Sequence, residues 1–178
     1  AIGSEIADYL IKPVNPMQIL LSIKKNLHSE ALVAQKATDD YRQEFARISN
    51  QIAMASNIND WYELYQTLVR WELTLSNTDT GMGEMLKMQK QEANNAFAKM
   101  VKRNYETWVT GGEHPLMSNE IFKTQIFPFI DRGEKVCFIV IDNFRLDQWK
   151  TISPLLNEYF NVEKEELYTT ILPTATQY

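Results

Sequence analysis

A chain of 178 residues with 44% hydrophobic content is long enough for one domain or two small ones. Its net charge of −5 argues against a surface that coats nucleic acid, because broad phosphate binding needs clustered lysine and arginine. No apolar run is as long as the segment of about 18 residues that is needed to cross a bilayer. The chain has one cysteine and therefore cannot form an internal disulfide. These features favour a cytoplasmic protein without a membrane partner. The sequence begins with Ala1 rather than methionine and already lies within a secondary-structure pattern, so we expect the chain to be a fragment at both ends.

The first 29 residues have the pattern of a strand, a turn and a helix. A short strand-like run over residues 8–12 is followed by Pro13, and Pro16 stands at the first position of a predicted helix with Asn15 as its cap. Apolar residues then recur at helical spacing: Ile19, Leu20, Ile23 and Leu27. From the residues alone, this segment is a corner of some α/β domain.

Residues 8–13 (DYLIKP) resemble the final strand and helix of a two-component receiver domain. The resemblance implies that Lys12 contacts a phosphoryl group, that the peptide bond before Pro13 is cis, and that Tyr9 is the aromatic switch residue. A compact ammonium group suits the role given to Lys12, since it can neutralise a phosphate. The resemblance also implies a Mg²⁺ ion, a sensor histidine kinase as partner, and a phospho-acceptor aspartate outside this chain.

The middle of the chain, residues 30–113, has the pattern of three amphipathic helices. The first stripe comprises Tyr41, Phe45, Ile48, Ile52 and Ala55; the second comprises Trp61, Leu64, Tyr65, Leu68, Trp71 and Leu75; the third comprises Met85, Met88, Ala93, Phe97, Met100, Val101, Tyr105 and Trp108. Short connections between them predict an antiparallel bundle. We interpret the aromatic and methionine residues as core and the bundle as a connection between two domains.

Residues 114–178 predict the start of an α/β domain. A helix is expected from a cap at Ser118 or Asn119 to Ile130, followed by a strand over residues 136–141 that is buried on both faces. Cys137, inside that strand, is therefore expected to be a buried and inert thiol. A crossover helix and a second strand over residues 167–172 complete a parallel pair.

Chemically useful side chains follow both predicted strands. Asp142 ends the first strand, and Thr174 and Thr176 follow the second. Asp142 could be a simple helix cap, and the threonines could be turn residues. If the two strand ends are adjacent, a metal ion on the carboxylate can lower the pKa of a threonine hydroxyl enough to make it a nucleophile.

Two runs of this region, residues 138–149 (FIVIDNFRLDQW) and 172–178 (LPTATQY), resemble the PglZ domain, a branch of the alkaline phosphatase superfamily. The resemblance implies a site with two zinc ions, in which Asp142 is a ligand. Thr176 would be the nucleophile and a second metal-binding residue, with Thr174 as the alternative nucleophile. The remaining ligands would lie outside this chain, since its two histidines, His28 and His114, stand far from both motifs in the sequence.

The order of the segments resembles the PorX family of response regulators. It implies a mixed fold, with the C-terminal piece of a receiver over residues 1–29, a three-helix antiparallel bundle over 30–113, and the first strands and helices of an alkaline-phosphatase-like domain over 114–178. The implied function is a zinc-dependent phosphodiesterase or phosphatase that acts on (cyclic) oligonucleotides, dimerises on phosphorylation and regulates type IX secretion; the fragment itself would be inactive. The alternative is a non-catalytic signalling module whose phosphatase-like domain binds a sigma or anti-sigma factor.

Overall fold

The computed structural model describes Leu10, residues 12–76 and residues 81–174, without the side chains of residues 27, 28 and 30. Three long helices make up its first part: α1 (Pro16–Met54), α2 (Ile58–Leu75) and α3 (Met82–Val109). Within these described ranges, no helix has the length and apolar character needed to cross a membrane.

The first two helices begin with side-chain caps. Asn15 Oδ1 accepts a hydrogen bond from the backbone N–H of Met17 at 2.9 Å, and Gln18 Oε1 accepts one from the backbone N–H of Asn15 at 3.1 Å. Pro16 stands at the first helical position, as predicted, where its missing N–H costs nothing. At α2, Asn57 Oδ1 accepts hydrogen bonds from the backbone N–H groups of Asn59 and Asp60. α1 runs through residues 29 and 30 without a break.

The three helices form an antiparallel bundle, as their sequence pattern predicts. Between α2 and α3, the rings of Trp61 and Phe97 lie 5.5 Å apart and Lys90 Nζ lies 2.7 Å from Glu72 Oε1. Residue numbers therefore fall along α3 as they rise along α2. α1 and α2 are joined by residues 55–57 and fold back on each other, so that the ring of Tyr41 lies 5.2 Å from that of Trp71.

The bundle core follows the predicted stripes with two exceptions. Tyr65 and Met88 are exposed, although both were predicted to be core residues. The prediction fails for Met88 because the buried face of α3 is centred on Met82, Leu86 and Ala93. Successive residues of a helix are rotated by about 100°, which places Met88 well away from that face. The buried residues shared by the three helices are Ala37, Tyr41, Ile48, Ile52, Trp61, Leu64, Leu68, Trp71, Leu75, Met82, Leu86 and Ala93.

After the bundle, the predicted helix over residues 118–130 is present but irregular. A 3-10 turn (Ser118–Glu120) and a π-helical turn (Phe122–Ile126) lead into the short helix α4 (Phe127–Asp131). Pro128 lacks the N–H group that a continuous helix would need, so the helix is interrupted and α4 begins at this point. The predicted cap by the side chain of Ser118 or Asn119 is not formed; instead, the backbone N–H of Met117 donates to Glu120 Oε2 at 3.2 Å. The crossover helix is α5 (Leu146–Leu156), which packs against α2.

The two predicted strands do not pair in the described part of the chain. Residues 136–141 are exposed there, with Ile139 and Val140 more than 70% accessible, and no strand forms among the described residues. The thiol of Cys137 is exposed, so the prediction that it is buried is wrong. An isolated parallel bridge joins Met117 to Thr169 instead. The apolar residues 136–141 are suited to a strand that is buried on both faces. Such burial requires neighbouring strands and helices, and the described residues do not provide them here.

Candidate functional site

The segment that leads to the two threonines is held beside the chain that leaves the bundle. The backbone N–H of Thr169 donates to the carbonyl of Leu116 at 2.9 Å, and the backbone N–H of Ser118 donates to the carbonyl of Thr169 at 2.9 Å. Two residues further on, the N–H of Ile171 donates to Ser118 Oγ at 3.2 Å. Residues 167–172 therefore have a defined register against residues 116–118, although their predicted partner strand was 136–141.

Two tyrosines of the bundle contact the same segment. The hydroxyl of Tyr62, on α2, lies 2.8 Å from Thr169 Oγ1. Partial burial raises the pKa of Tyr62, and the hydrogen bond to Thr169 acts in the opposite direction. The hydroxyl of Tyr105, on α3, accepts a hydrogen bond from the N–H of Leu172 at 2.5 Å and donates one to the carbonyl of Leu172 at 3.4 Å.

Sequence reasoning missed this role for both tyrosines. Tyr105 fell within the third apolar stripe and was interpreted as core, and Tyr62 lies outside the second stripe. The only signal available in the sequence was that a tyrosine hydroxyl on a partly buried helix face needs a hydrogen-bond partner. That requirement does not say which segment provides the partner.

Asp142 lies in the turn between the exposed run 136–141 and α5, and it is exposed. The next residue, Asn143, has a φ of 57°, a left-handed conformation that asparagine tolerates better than most residues. Thr174 is described and exposed, whereas Thr176 lies outside the described residues. The expected meeting of Asp142 with Thr176 therefore stays a prediction.

Just after Asp142, charged groups interact at the start of α5 and join this helix to Glu165. Arg145 Nη2 lies 2.7 Å from Asp147 Oδ2, and hydrogen bonding to the Arg145 side chain holds the pKa of Asp147 below its ordinary value. Lys150 Nζ donates to Glu165 Oε1 at 2.6 Å and lowers the pKa of Glu165, with a second hydrogen bond from Trp149 Nε1. α5 is thereby linked to the chain that precedes residues 167–172.

The described residues offer one candidate ligand for the zinc site implied by the sequence. Asp142 supplies a hard carboxylate oxygen, which zinc accepts. No group of three or more His, Cys, Asp and Glu side chains in the described part of the chain could share a metal ion. His114 contacts Glu120, with 3.5 Å between Nδ1 and Oε2, and the side chain of His28 is not described. Asp142 fits as a single donor, and a two-zinc site requires donors beyond these residues.

The receiver-like end is described only in part. The Lys12–Pro13 peptide bond is cis, as the resemblance implies, and Lys12 is exposed. Tyr9 lies outside the described residues. Apolar side chains near the start of α1 are exposed, among them Leu20 at 61% and Ile23 at 52%.

A groove of about 950 Å³ runs along the bundle and was not predicted. α2 and α3 form its mainly apolar walls, and residues 167–170, Leu172 and Thr174 close one side. Tyr65, which lines the groove, has a raised pKa, first because it is partly shielded from water and then because of the negative charges of Asp147 and Glu72. The groove thus brings the bundle surface next to the first of the two candidate threonines.

Comparison with protein families assigns the two halves of the chain. Residues 31–109 match the model of the PorX response regulator linker domain, and residues 121–178 match that of the BREX system PglZ alkaline phosphatase-like domain. The chain is PorX-like. No similar sequence was found among the curated proteins with which it was compared.

These matches divide the candidate residues into two groups. Asp142, Thr174 and Thr176 all fall within the alkaline phosphatase-like match, whereas Tyr9 and Lys12 precede both matches. The PorX linker match coincides closely with the bundle, since it begins within α1 and ends at the last residue of α3. The chain therefore combines a response regulator linker with a phosphatase-like domain.

Proposed function

We propose that this PorX-like chain belongs to a cytoplasmic response regulator that acts as a zinc-dependent phosphodiesterase or phosphatase on (cyclic) oligonucleotides and regulates type IX secretion. The observation that carries the proposal is the presence of a PorX linker match and a PglZ alkaline phosphatase-like match, in that order, on one chain. The substrate class and the secretion role come from the resemblance to the PorX family.

In the proposed reaction, Thr176 would be the nucleophile, and Asp142 and Thr176 would be among the ligands of a pair of zinc ions. Bound zinc lowers the pKa of a hydroxyl group and stabilises negative charge on phosphoryl oxygens. The Thr176 oxygen loses its proton and forms a bond to phosphorus while the bond from phosphorus to the leaving oxygen breaks. The leaving oxygen takes up a proton, and water then hydrolyses the phosphothreonine ester to regenerate the hydroxyl.

Control of this activity is proposed to come from the receiver end. A sensor histidine kinase would supply the phosphoryl group, a Mg²⁺ ion would assist its transfer to the receiver, and Lys12 and Tyr9 would respond to it. Phosphorylation would then promote a homodimer. The exposed position of Lys12 next to Pro13 supports this role, because its ammonium group is free of the bundle core.

The test is hydrolysis of a chromogenic phosphodiester by the full-length zinc-loaded protein, with zinc content measured on every variant. Thr176→Ala should lower turnover by several orders of magnitude with zinc retained, because the covalent path is removed. Asp142→Ala should lower zinc content as well as turnover, because a ligand is lost. Thr174→Ala is the matched control and should cost much less.

Three outcomes would change the proposal. An inactive Thr174→Ala variant beside an active Thr176→Ala variant would move the nucleophile by two residues. If only Asp142 matters, a metal-bound water rather than threonine attacks phosphorus. A zinc-free and inactive wild-type protein would favour a phosphatase-like domain that only binds a partner, such as a sigma or anti-sigma factor.

A further inference from the structure

The bundle and the segment before the candidate nucleophile are joined by specific hydrogen bonds. Tyr62 on α2 bonds to the side chain of Thr169, and Tyr105 on α3 bonds to both backbone polar groups of Leu172. The two contacts come from different helices and are three residues apart along the segment. Each end of the run from Thr169 to Leu172 is therefore fixed by a different helix of the linker.

The opposite side of the same segment is also held. Leu116 and Ser118 pair with the backbone of Thr169, and Ser118 Oγ accepts from Ile171. Both sides of the run from Thr169 to Leu172 are therefore hydrogen-bonded. The Tyr105 contact is the last of these bonds before the threonines.

Both tyrosines suit this task chemically. A tyrosine has a rigid ring with two side-chain torsions, so a hydroxyl at its tip is positioned at a small entropic cost. Tyr62 and Tyr105 are both partly buried, which strengthens their hydrogen bonds relative to bonds in water. A packing role alone would need only the rings, and phenylalanine could fill it.

We infer that Tyr62 and Tyr105 are positioning residues that fix the run from Thr169 to Leu172 relative to the linker bundle, and with it the start of the segment that carries the candidate nucleophile. This inference rests on the proposed function of Thr176. The linker then forms part of the support of the phosphatase-like site. A shift of α2 or α3 reaches the nucleophile through two hydroxyl groups, which gives the linker a direct route to the reaction rate.

The experiment uses Tyr62→Phe, Tyr105→Phe and the double variant in the full-length zinc-loaded protein. Phenylalanine keeps the ring and removes only the hydroxyl. Tyr159→Phe is the matched control, because Tyr159 is 78% exposed and lies outside residues 167–174. We expect each single variant to lower kcat about fivefold to tenfold, as befits the loss of one hydrogen bond, with KM, zinc content and the thermal midpoint close to wild type.

A second readout does not depend on activity. Hydrogen–deuterium exchange of peptides that cover residues 167–174 should become faster in Tyr105→Phe and stay unchanged in Tyr159→Phe, because the N–H of Leu172 loses its acceptor. Unchanged exchange would overturn the inference whatever the kinetics. Faster exchange with unchanged kcat would overturn it while leaving the function of Thr176 intact. If the wild-type protein is inactive, the proposed function and the catalytic part of the inference both fail, and exchange still decides whether the bundle holds the segment.

Discussion

The hydroxyl of Tyr41 donates a hydrogen bond of 3.0 Å to Oε1 of Gln89, inside the bundle where both side chains are buried. The amide nitrogen of Gln89 in turn donates to the carbonyl of Phe45 and to Ser49 Oγ, each at 2.9 Å. One glutamine on α3 thus satisfies three groups on α1. Burial raises the pKa of Tyr41 to about 12, so its hydroxyl stays protonated and able to donate even in moderately alkaline solution.

This pair predicts a measurable coupling. Tyr41→Phe should lower the free energy of unfolding by about 1–2 kcal/mol, because the acceptor on Gln89 stays buried and unpaired. Gln89→Leu should cost about 2–3 kcal/mol, because several polar groups of α1 lose their partner. In a double-mutant cycle by chemical denaturation, the two changes should couple by about 1 kcal/mol. Gln91→Leu, on the exposed side of α3, is the control, and additive effects of Tyr41→Phe and Gln89→Leu would contradict the contact.

Trp71 should make a large contribution to bundle stability. It is buried and packs against Tyr41, so Trp71→Ala should lower the free energy of unfolding by about 3–5 kcal/mol. Within the described residues its indole N–H has no hydrogen-bond partner, so Trp71→Phe removes an unsatisfied donor and should cost well under that amount. Thermal and urea unfolding of both variants provide the measurement. A Trp71→Ala protein that unfolds like wild type would show that this face of α2 does not support the core.

The start of α2 should give a stability that depends on pH. The carboxylate of Asp60 accepts hydrogen bonds from the backbone N–H groups of Ser56 and Asn57, and these bonds lower its pKa. A carboxyl group whose pKa is lower in the folded state stabilises the fold above its unfolded pKa, and this stability is lost as pH falls through the folded pKa. Wild type should therefore exceed Asp60→Ala in unfolding free energy at neutral pH.

That difference should begin to shrink as the pH falls below about 4, the ordinary pKa of an aspartate in the unfolded chain, and should shrink further as the pH falls through the lower pKa of Asp60 in the folded state. Urea unfolding over this range measures it. Asp40→Ala serves as the control, since Asp40 is exposed in the interior of α1. A gap between wild type and Asp60→Ala that is the same at pH 7 and pH 3 would show that the charge does not cap the helix.

Lys12 should couple phosphorylation to dimerisation. Lys12→Ala in the full-length protein should abolish the change in sedimentation that a phosphoryl mimic causes in wild type, because the ammonium group that reads the phosphate is gone. Phosphorylation itself should persist, since the acceptor is a different residue. Lys24→Ala, an exposed lysine on α1, should switch like wild type. A Lys12→Ala protein that also switches normally would remove Lys12 from the mechanism.

The sequence predicted the bundle well because its signals are local. Residues three and four apart, such as Phe45, Ile48 and Ile52, define a helix face without reference to distant parts of the chain, and the predicted cap at Asn15 depends on neighbours within three residues. Helix start points and the three main stripes follow from these short-range rules.

The C-terminal half was harder because its structure depends on distant partners. The pairing of Thr169 with Met117 and the contact of Tyr105 with Leu172, 67 residues away, leave no periodic trace in the sequence. The uninterrupted apolar composition of residues 136–141 indicates a buried strand but does not determine which segments pair with it. For the same reason, the motifs around Asp142 and Thr176 predict a type of reaction but do not predict the distance between these two residues.

The continuity of α1 has a mechanical consequence. Its 39 residues span about 58 Å, and no proline or glycine follows Pro16 within it, so rotation of one end must carry the other end with it. The apolar face that packs in the bundle at Tyr41 continues in phase toward Ile23 and Leu20. The number of residues between the start of α1 and its part in the bundle therefore determines the relative rotation of these two parts as well as their separation. Deleting one residue near Ala34 would rotate the start of α1 by about 100° relative to the bundle, whereas deleting seven would nearly restore its original orientation.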